Sequence, residues 1–290
     1  GYVGAIEEIV RREKVKVILP GSDEEALSLS KDRDRFSAQG CVVACSDYEA
    51  TRLAVDKFEL MTVLRASGVA TANFFSFASL QELRERAEQL GFPARPFVIK
   101  PRRSRGGRGF RAVHERFDPY ESFLSGDNTV IDFESLSRIF EKASDKMKDF
   151  FIMDHLPGEK YSADCLVRDG AIRAVVIRNK LFPVGSPTQI ADIVFDEDLV
   201  GYAAAMARVL TFDYFVQFEI GRDGNGEPKL IEVNPRLDAT LPICLGIGIN
   251  FYHEIIRHAL GEAYSPQVRI MRETSGPRRF MRYWQHAFTA

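Results

Sequence analysis

The sequence lacks the features that mark several large classes of protein. Its 290 residues include four cysteines, Cys41, Cys45, Cys165 and Cys244, and no two of them form a C-x-x-C pair. We therefore expect buried, reduced thiols, as in a cytoplasmic protein, and neither a disulfide framework nor a zinc site. No apolar run is long enough to span a bilayer and no signal peptide is visible, so no membrane partner is expected.

An excess of charge of one sign is missing as well. The 39 basic and 41 acidic residues give a formal net charge of −2. This balance argues against a general polyanion-binding surface, so no nucleic-acid partner is expected, although a local basic patch is compatible with it. The five histidines show no metal-ligand spacing and are interpreted as structural or surface residues.

The order of apolar and turn-forming segments predicts an α/β (α+β) protein. Residues 15–19 read as a buried strand that ends at Pro20-Gly21. A helix over residues 24–33 and a short strand over residues 41–44 follow. A strand, a helix and a second strand at this spacing are typical of a βαβ unit in a parallel sheet.

The rest of the chain alternates between the same two kinds of element. Helices are expected over residues 46–68, 79–90, 134–148, 196–210 and 251–260. Strands are expected over residues 73–77, 97–100, 110–113, 150–154, 161–167, 171–178, 214–221, 229–234 and near 279–284.

The segment KLIEVNPR, residues 229–236, carries the first candidate site. Side chains alternate between the two faces of a strand, so Glu232 and Asn234 share a face that their apolar neighbours do not. A carboxylate and an amide oxygen two residues apart, followed by Pro235 and Arg236, can hold a hard cation that carries phosphate. The alternative is a polar, solvent-facing hairpin edge.

The strand before it supplies further oxygen atoms. In VQFEI, residues 216–220, Gln217 and Glu219 share one face. If the two strands pair as a hairpin, these side chains lie near Glu232 and Asn234. Mg²⁺ prefers oxygen ligands, with one or two carboxylates completed by phosphate and water. Glu232, with the amide oxygens of Asn234 and Gln217, fits such a site.

A glycine-rich loop carries the second candidate site. In FVIKPRRSRGGRGFRAV, residues 97–113, an apolar strand leads to Lys100 and then to a loop. The loop residues are Ser104, Arg105, Gly106, Gly107, Arg108 and Gly109. Glycines allow backbone N–H groups to approach a phosphate, and nearby cations neutralise it. A P-loop is excluded because G-x-x-x-x-G-K-[ST] is absent. A structural hairpin turn and an RGG-type RNA-binding segment remain as alternatives.

Together these motifs resemble the ATP-grasp superfamily, and within it the proteins similar to the large subunit of carbamoyl-phosphate synthase. Beside the two motifs above, the resemblance rests on PGSDEE (20–25), DKFELMTVLRASGV (56–69) and RRFMRYW (278–284). It implies a partial Rossmann-like pre-grasp domain with its connecting helix over residues 1–70. A small lid subdomain over residues 71–155 and a large subdomain over residues 156–290 would follow. Because the chain starts at Gly1 instead of Met and enters in a helical pattern over residues 5–12, we expect its natural N-terminus to be missing. The resemblance implies that the first strand of the pre-grasp domain is missing with it.

The resemblance also implies roles for individual residues. Lys57 and Lys100 would hold the ATP phosphates, and the loop 103–109 would be the mobile lid. Gln217, Glu232 and Asn234 would bind Mg²⁺, with Mn²⁺ as a substitute, and Arg236 would face the transferred phosphate. Asp154, His155 and Leu156 would form the hinge that meets adenine.

One position departs from the family pattern. Family members carry a glutamate shortly after the hinge glycine, where it binds the ribose hydroxyls. The pattern places Lys160 there, while Glu159 is adjacent and could substitute for it. Ribose binding is therefore assigned to either residue.

The expected function is that of an ATP- and Mg²⁺-dependent ligase. It would phosphorylate a small carboxylate to an acyl phosphate and couple this to an amine or a thiol, with Arg236 and Lys100 as catalytic residues. The alternatives are a carbamoyl-phosphate-forming or bicarbonate-dependent enzyme, and a nucleotide-binding module without turnover. Substrate contacts are expected from residues 181–192 and 238–250, and a homo-oligomer is left open. Arg178 and Lys180 either bind a carboxylate or belong to a solvated strand face.

Overall fold

The computed structural model describes residues 1–104, 106–126, 128–181, 188–265 and 279–283. The chain forms two compact units. The first unit consists of Gly1–Val55, Glu159–Gly221 and Leu230–Ala290, and the second of Asp56–Gly158 and Arg222–Lys229. The first and last residues of the motif RRFMRYW, Arg278 and Trp284, lie outside the described part. The three-part domain division inferred from the sequence remains a prediction.

The first unit begins with a small βαβ layer. Strands β1 (Val17–Ile18) and β2 (Val42–Val43) pair in parallel, as the sequence predicts. The helices of this layer are α1 (Tyr2–Glu13), α2 (Asp23–Lys31), α3 (Arg33–Ser37) and α4 (Tyr48–Val55). Helix α2 begins where the Ser22 side chain accepts a hydrogen bond from Glu25 N, and α2 and α3 pack through Leu29 and Phe36 into a buried core.

A six-stranded sheet forms the larger part of the first unit. Its strands are β8 (Lys160–Arg168), β9 (Ala171–Lys180), β10 (Ile190–Val194), β11 (Tyr214–Arg222), β12 (Pro228–Asn234) and β13 (Arg279–Met281), in the order β12-β11-β8-β9-β10-β13. Helices α9 (Glu197–Val209) and α10 (Phe251–Ala259) and a 3-10 helix (Leu241–Ile247) complete the unit. Buried apolar residues of β8, β9, β11 and α10 share one core, which includes Leu166, Val176, Phe215 and Ile255.

The second unit contains a five-stranded sheet. Its strands are β3 (Phe74–Ser76), β4 (Phe97–Pro101), β5 (Arg111–His114), β6 (Val130–Asp132) and β7 (Phe150–Asp154), in the order β3-β7-β4-β5-β6. Its helices are α5 (Lys57–Ala66), α6 (Leu80–Gln89), α7 (Pro119–Ser125), α8 (Phe133–Glu141) and a 3-10 helix (Ser144–Asp149). The core is rich in aromatic rings, such as Phe97 and Phe133 with centroids 6.4 Å apart.

The structure differs from the predicted helices in two places. The single helix expected over residues 46–68 is wrong, because α4 ends at Val55 and α5 begins at Lys57. Asp56 lies between them in an extended conformation, and its carboxylate accepts a hydrogen bond from Glu59 N, which starts the new helix. The helix expected over residues 134–148 ends at Glu141, and a separate 3-10 helix begins at Ser144.

Two further expectations concern the burial of the cysteines and the possibility of a membrane-spanning helix. All four cysteines are free thiols with buried side chains, which confirms the prediction of buried cysteines. Among the helices in the described ranges, none combines the length and the apolar character that a bilayer-crossing helix requires.

Candidate functional site

The six-stranded sheet presents a row of polar side chains on one face. Gln217 on β11 lies opposite Asp164 on β8, and Glu219 lies opposite Ser162. Ser162 in turn lies opposite Arg178 on β9. Side chains two residues apart on a strand share a face, and directly paired residues point the same way. We call this surface the polar face; it carries Lys160, Ser162, Asp164, Arg178, Lys180, Gln217 and Glu219.

A chain of hydrogen bonds joins the two amide side chains predicted as metal ligands. Asn234 Nδ2 donates to Gln217 Oε1 at 3.0 Å, and Gln217 Nε2 donates to Asp164 Oδ1 at 2.8 Å. Arg236 Nη2 donates to Asn234 Oδ1 at 3.2 Å. Gln217 and Asn234 are 2% and 8% exposed. The predicted proximity of β11 and β12 residues is therefore present in the structure, and it includes Asp164, which the sequence did not single out.

The carboxylates of the same surface are also close enough to affect each other. Glu219 accepts a hydrogen bond from Ser162 Oγ at 2.9 Å and forms an ion pair with Lys180. Burial raises the pKa of the Glu219 carboxyl; the Lys180 ammonium opposes this rise, and the Glu232 carboxylate adds to it. A cation placed between the two carboxylates would relieve their repulsion.

The donor set of this surface fits a magnesium ion. It offers the carboxylates of Glu219 and Glu232 and the amide oxygens of Gln217 and Asn234. Within the described ranges, no three His, Cys, Asp or Glu side chains are grouped so that they could hold a metal. A metal bound here would therefore need amide oxygens, and phosphate or water, beside the carboxylates. Mg²⁺ is bound in this way, whereas zinc sites are closed by nitrogen and sulfur ligands.

A fully buried ion pair lies beneath the amide ligands. Asp164 and Arg178 are both 0% exposed, and Arg178 Nε and Nη2 donate to the two Asp164 oxygens at 2.8 and 2.9 Å. Burial alone would lower the pKa of Arg178, but the Asp164 carboxylate raises it, so the guanidinium stays charged. The interpretation of Arg178 as part of a solvated strand face is therefore wrong. Its Nη1 atom is buried and makes no hydrogen bond with the described residues.

Arg236 is held in place by acidic residues of the first unit. Its Nε lies 3.1 Å from Asp23 Oδ1 at the start of α2, and its Nη1 lies 3.9 Å from Asp238 Oδ2. The side chain is 16% exposed. The role of Arg236 toward a transferred phosphate stays a prediction, but its donors already orient the oxygen of Asn234.

The two lysines predicted to hold phosphate lie in the second unit and are almost fully buried. Lys57 and Lys100 are 6% and 5% exposed. Lys57 Nζ donates to the carbonyl oxygen of Ser104 at 2.6 Å, and Lys100 Nζ lies 5.4 Å from the centre of the Phe151 ring. The structure thus links Lys57 directly to the beginning of the glycine-rich loop.

The base of this loop is anchored by Asp56. Arg102 Nε and Nη2 donate to its two oxygens at 3.1 and 2.9 Å, and Arg103 Nε donates at 3.2 Å. Burial alone would raise the pKa of Asp56, but the hydrogen bonds and charges of the arginines lower it. The sequence reasoning missed Asp56 as an anchor, although an aspartate directly before Lys57 is a helix-capping signal.

The glycine-rich loop adopts backbone conformations that favour glycine. Gly106, Gly107 and Gly109 have φ angles of 61°, 70° and 76°. At Gly109 a Cβ atom would also lie 2.6 Å from Pro101 Cγ. Arg108 is exposed, and Arg105 lies outside the described residues. Whether this loop binds phosphate stays a prediction.

The predicted hinge residues begin at Asp154, the last residue of β7, and continue beyond the strand. Asp154 Oδ2 accepts a hydrogen bond from Asn73 N at 2.8 Å, and the ring of His155 lies 6.2 Å from that of His114. Leu156 is buried. Asp154 therefore fixes the chain at the end of the strand, and the expected contact with adenine stays a prediction.

The two candidates for ribose binding, Glu159 and Lys160, point to opposite faces of the sheet. Glu159 accepts hydrogen bonds from Tyr161 Oη at 2.6 Å and from Asn179 Nδ2 at 2.8 Å, and Tyr161 and Asn179 are paired across β8 and β9. Alternation along β8 therefore places Lys160 on the polar face and Glu159 on the opposite one. Burial lowers the pKa of Lys160. Neither residue is thereby shown to bind ribose.

Comparisons with known proteins agree on a single fold. The sequence family described as ATP-grasp in the biosynthetic pathway with Ter operon matches residues 146–276. The formate-dependent phosphoribosylglycinamide formyltransferase of Bacteroides fragilis is 32% identical over 108 residues, which are 36% of this chain and 25% of that protein.

Solved structures resemble the chain over most of its length. The biotin carboxylase domain of Hydrogenobacter thermophilus 2-oxoglutarate carboxylase, solved with MgADP, ADP and bicarbonate, has a TM-score of 0.71 at 17% identity, over 92% of this chain and 58% of that one. The L-amino acid ligase of Bacillus licheniformis has a TM-score of 0.56 at 16% identity, over 87% of this chain and 65% of that one.

These likenesses confirm the resemblance to ATP-grasp proteins and, with it, the predicted fold. The chain spans a quarter of the length of the curated relative and less than two thirds of either solved protein. At identities of 16–17% the solved structures are evidence for the shared fold alone.

Proposed function

We propose that this chain, which has the ATP-grasp fold, is an ADP-forming ligase that joins a small carboxylic acid to an amine or a thiol. The observation that supports this proposal is the oxygen-rich cluster of Gln217 and Glu219 on β11 with Glu232 and Asn234 on the neighbouring β12, with Arg236 hydrogen-bonded to Asn234. Within this fold, such a donor set is suited to magnesium and to the phosphates that accompany it.

The chemistry needs an activated acid, because a carboxylate oxygen is a poor leaving group. The carboxylate attacks the γ-phosphorus of ATP, the bond to the bridging oxygen breaks, and ADP and an acyl phosphate form. The amine or thiol then attacks the carbonyl carbon, loses a proton and expels phosphate. The protein contributes positioning and neutralisation of charge, and no covalent enzyme intermediate is required.

The residues have the following proposed roles. Lys57, Lys100 and the loop 103–109 neutralise the ATP phosphates. Gln217, Glu232 and Asn234 would hold Mg²⁺ or Mn²⁺, which when bound neutralises phosphate charge. Arg236 stabilises the acyl phosphate.

The proposal also covers the division of the chain into domains, the class of substrate, the partners and the location of the protein in the cell. It assigns residues 1–70 to a partial pre-grasp domain with its connecting helix, residues 71–155 to a lid subdomain and residues 156–290 to a large subdomain. Small-molecule substrates and a cytoplasmic location belong to it, and it includes neither a nucleic-acid nor a membrane partner.

The decisive experiment measures ADP release from the purified protein with ATP and Mg²⁺. A panel of small acids is crossed with a panel of amines and thiols, and each component is omitted in turn. The proposal expects ADP formation that requires both an acid and a nucleophile. Tight binding of Mg²⁺-ATP with no substrate-dependent ADP from any pair would refute it and favour a binding module without turnover.

A bicarbonate-dependent reaction is the second candidate, because biotin carboxylases are among the solved structures with this fold. Hydroxylamine traps acyl phosphates as hydroxamates, so trapping with and without bicarbonate separates the two reactions. A hydroxamate that forms with an organic acid in bicarbonate-free buffer supports the ligase. ADP formation that depends on bicarbonate alone supports the second candidate.

A further inference from the structure

We propose that Asp164, held by Arg178, is a positioning residue that sets the orientation of the Gln217 and Asn234 amides so that their oxygens face a bound magnesium ion. The inference rests on the proposed function and adds to it a pair of residues that do not touch the substrate. It follows from the direction of the hydrogen bonds beneath the polar face.

Each of the two oxygens of the Asp164 carboxylate accepts two hydrogen bonds. One oxygen accepts from Arg178 Nη2 and from Gln217 Nε2, and the other accepts from Arg178 Nε and, at 3.7 Å, from Cys244 Sγ. An ionised carboxylate only accepts hydrogen bonds. The atom of Gln217 that faces Asp164 must therefore be its nitrogen, and the Gln217 oxygen points the other way, toward Asn234.

The opposite end of the hydrogen-bonded chain is fixed as well. Arg236 only donates hydrogen bonds, so the Asn234 atom that faces it must be the oxygen. Asn234 Nδ2 then donates to Gln217 Oε1. The chain runs from an obligate donor, Arg236, through two amides to an obligate acceptor, Asp164. Each amide consequently has a single orientation, and each amide oxygen keeps a second lone pair for a cation.

Arg178 supplies the charge that a buried carboxylate needs. Two parallel hydrogen bonds at 2.8 and 2.9 Å hold Asp164 in one geometry. A fully buried ion pair is weak evidence for a stabilising role, since apolar residues of similar volume often serve stability equally well. The unpartnered Nη1 of Arg178 shows that the pair does not satisfy all of its own donors. Positioning of Gln217 is a role that an apolar pair could not perform.

The test measures Mn²⁺ and nucleotide affinity separately in the full chain. Mn²⁺ binding in the presence of ADP is followed by electron paramagnetic resonance, and ADP binding in EDTA by calorimetry. In Asp164→Asn we expect Mn²⁺ affinity to fall by about 10–100-fold, as for other residues that orient metal ligands, with ADP affinity in EDTA unchanged. The matched control is Glu49→Gln, which removes the ion pair of Glu49 with Arg52 on α4 of the same unit and should leave both affinities unchanged.

Exchanging the carboxylate at position 164 and the amide at position 217 tests the direction of the hydrogen bond between these two side chains. Gln217→Glu alone places two carboxylates in contact and should also weaken Mn²⁺ binding. The double variant Asp164→Asn/Gln217→Glu keeps the net charge of the cluster and lets an amide at position 164 donate to the new carboxylate. We expect the double variant to recover most of the lost Mn²⁺ affinity. A double variant that binds Mn²⁺ no better than either single variant would overturn the proposal.

Failures of the two proposals can be told apart. If the parent protein binds no Mn²⁺ with ADP, the proposed function fails and the positioning role fails with it. If the parent binds Mn²⁺ and a folded Asp164→Asn variant binds it equally tightly, the positioning role alone is refuted. Arg178→Lys provides a second variant, because it keeps the charge but loses the paired geometry. Equal losses of metal and nucleotide affinity in it would indicate a merely structural role and refute the proposal.

Discussion

Asp56 anchors the base of the glycine-rich loop, and substitutions at this residue should change the free energy of unfolding by predictable amounts. Its carboxylate is only 2% exposed and performs two tasks, capping α5 and binding Arg102 and Arg103. Asp56→Asn keeps a side chain that caps helices well but removes the charge, whereas Asp56→Ala removes both functions. The two variants therefore separate the cap from the ion pairs.

The expected magnitudes follow from the geometry. Hydrogen bonds to charged groups contribute about 1.5–3 kcal/mol, and the lower end applies here because Arg102 is 34% exposed. Arg103 is 66% exposed and adds little. The free energy of unfolding should fall by about 1.5 kcal/mol in Asp56→Asn. Loss of the cap adds about 1 kcal/mol in Asp56→Ala.

The pH dependence has a definite sign. The arginines lower the pKa of Asp56 below its value in the unfolded chain, so the ionised carboxylate stabilises the folded state. This contribution is complete above the unfolded pKa of about 4 and is lost as the pH falls through the lower folded pKa. The stability difference between the parent and Asp56→Asn should therefore be constant from about pH 7 to pH 5 and shrink in stronger acid.

Urea unfolding, monitored by circular dichroism, measures the differences in the free energy of unfolding between the parent protein and the two Asp56 variants. A parent protein no more stable than Asp56→Asn at neutral pH would refute the assignment of stability to the ion pairs. Equal stability of Asp56→Asn and Asp56→Ala would refute the capping contribution. The apparent ATP affinity should fall in both variants, because Arg102 and Arg103 begin the loop.

Four further variants test other parts of the molecule. Glu232→Ala should abolish metal-dependent turnover while the unfolding curve stays close to that of the parent; full activity would remove Glu232 from the metal site. Lys100→Ala should mainly weaken ATP binding in calorimetry, and an unchanged affinity would exclude Lys100 from the phosphate site. Arg178→Met should cost about 3–5 kcal/mol in urea unfolding because it leaves the Asp164 charge buried and unpaired. Asp164→Leu/Arg178→Met should cost less than that single change, and equal losses would contradict the buried-charge explanation.

Local sequence patterns predicted much of the fold and part of the candidate site. The alternation in residues 216–220 and 229–236 identified Gln217, Glu232 and Asn234, because the direction of a strand side chain depends only on its position along that strand. The same reasoning predicted the paired strands β1 and β2. The predicted helix ends were less accurate near Asp56. There, a capping carboxylate interrupts an otherwise continuous helical pattern.

The sequence by itself thus provided the proposed metal ligands, the glycine-rich loop and the resemblance from which the fold was predicted. Their partners depended on contacts between residues far apart in the chain, such as Asp164 with Gln217, 53 positions away, and Asp23 with Arg236. Pairing between distant strands is set by the packing of the whole sheet, and no short pattern encodes it. For the same reason, only the folded sheet showed that Arg178 is buried and that Lys160 shares a face with Gln217.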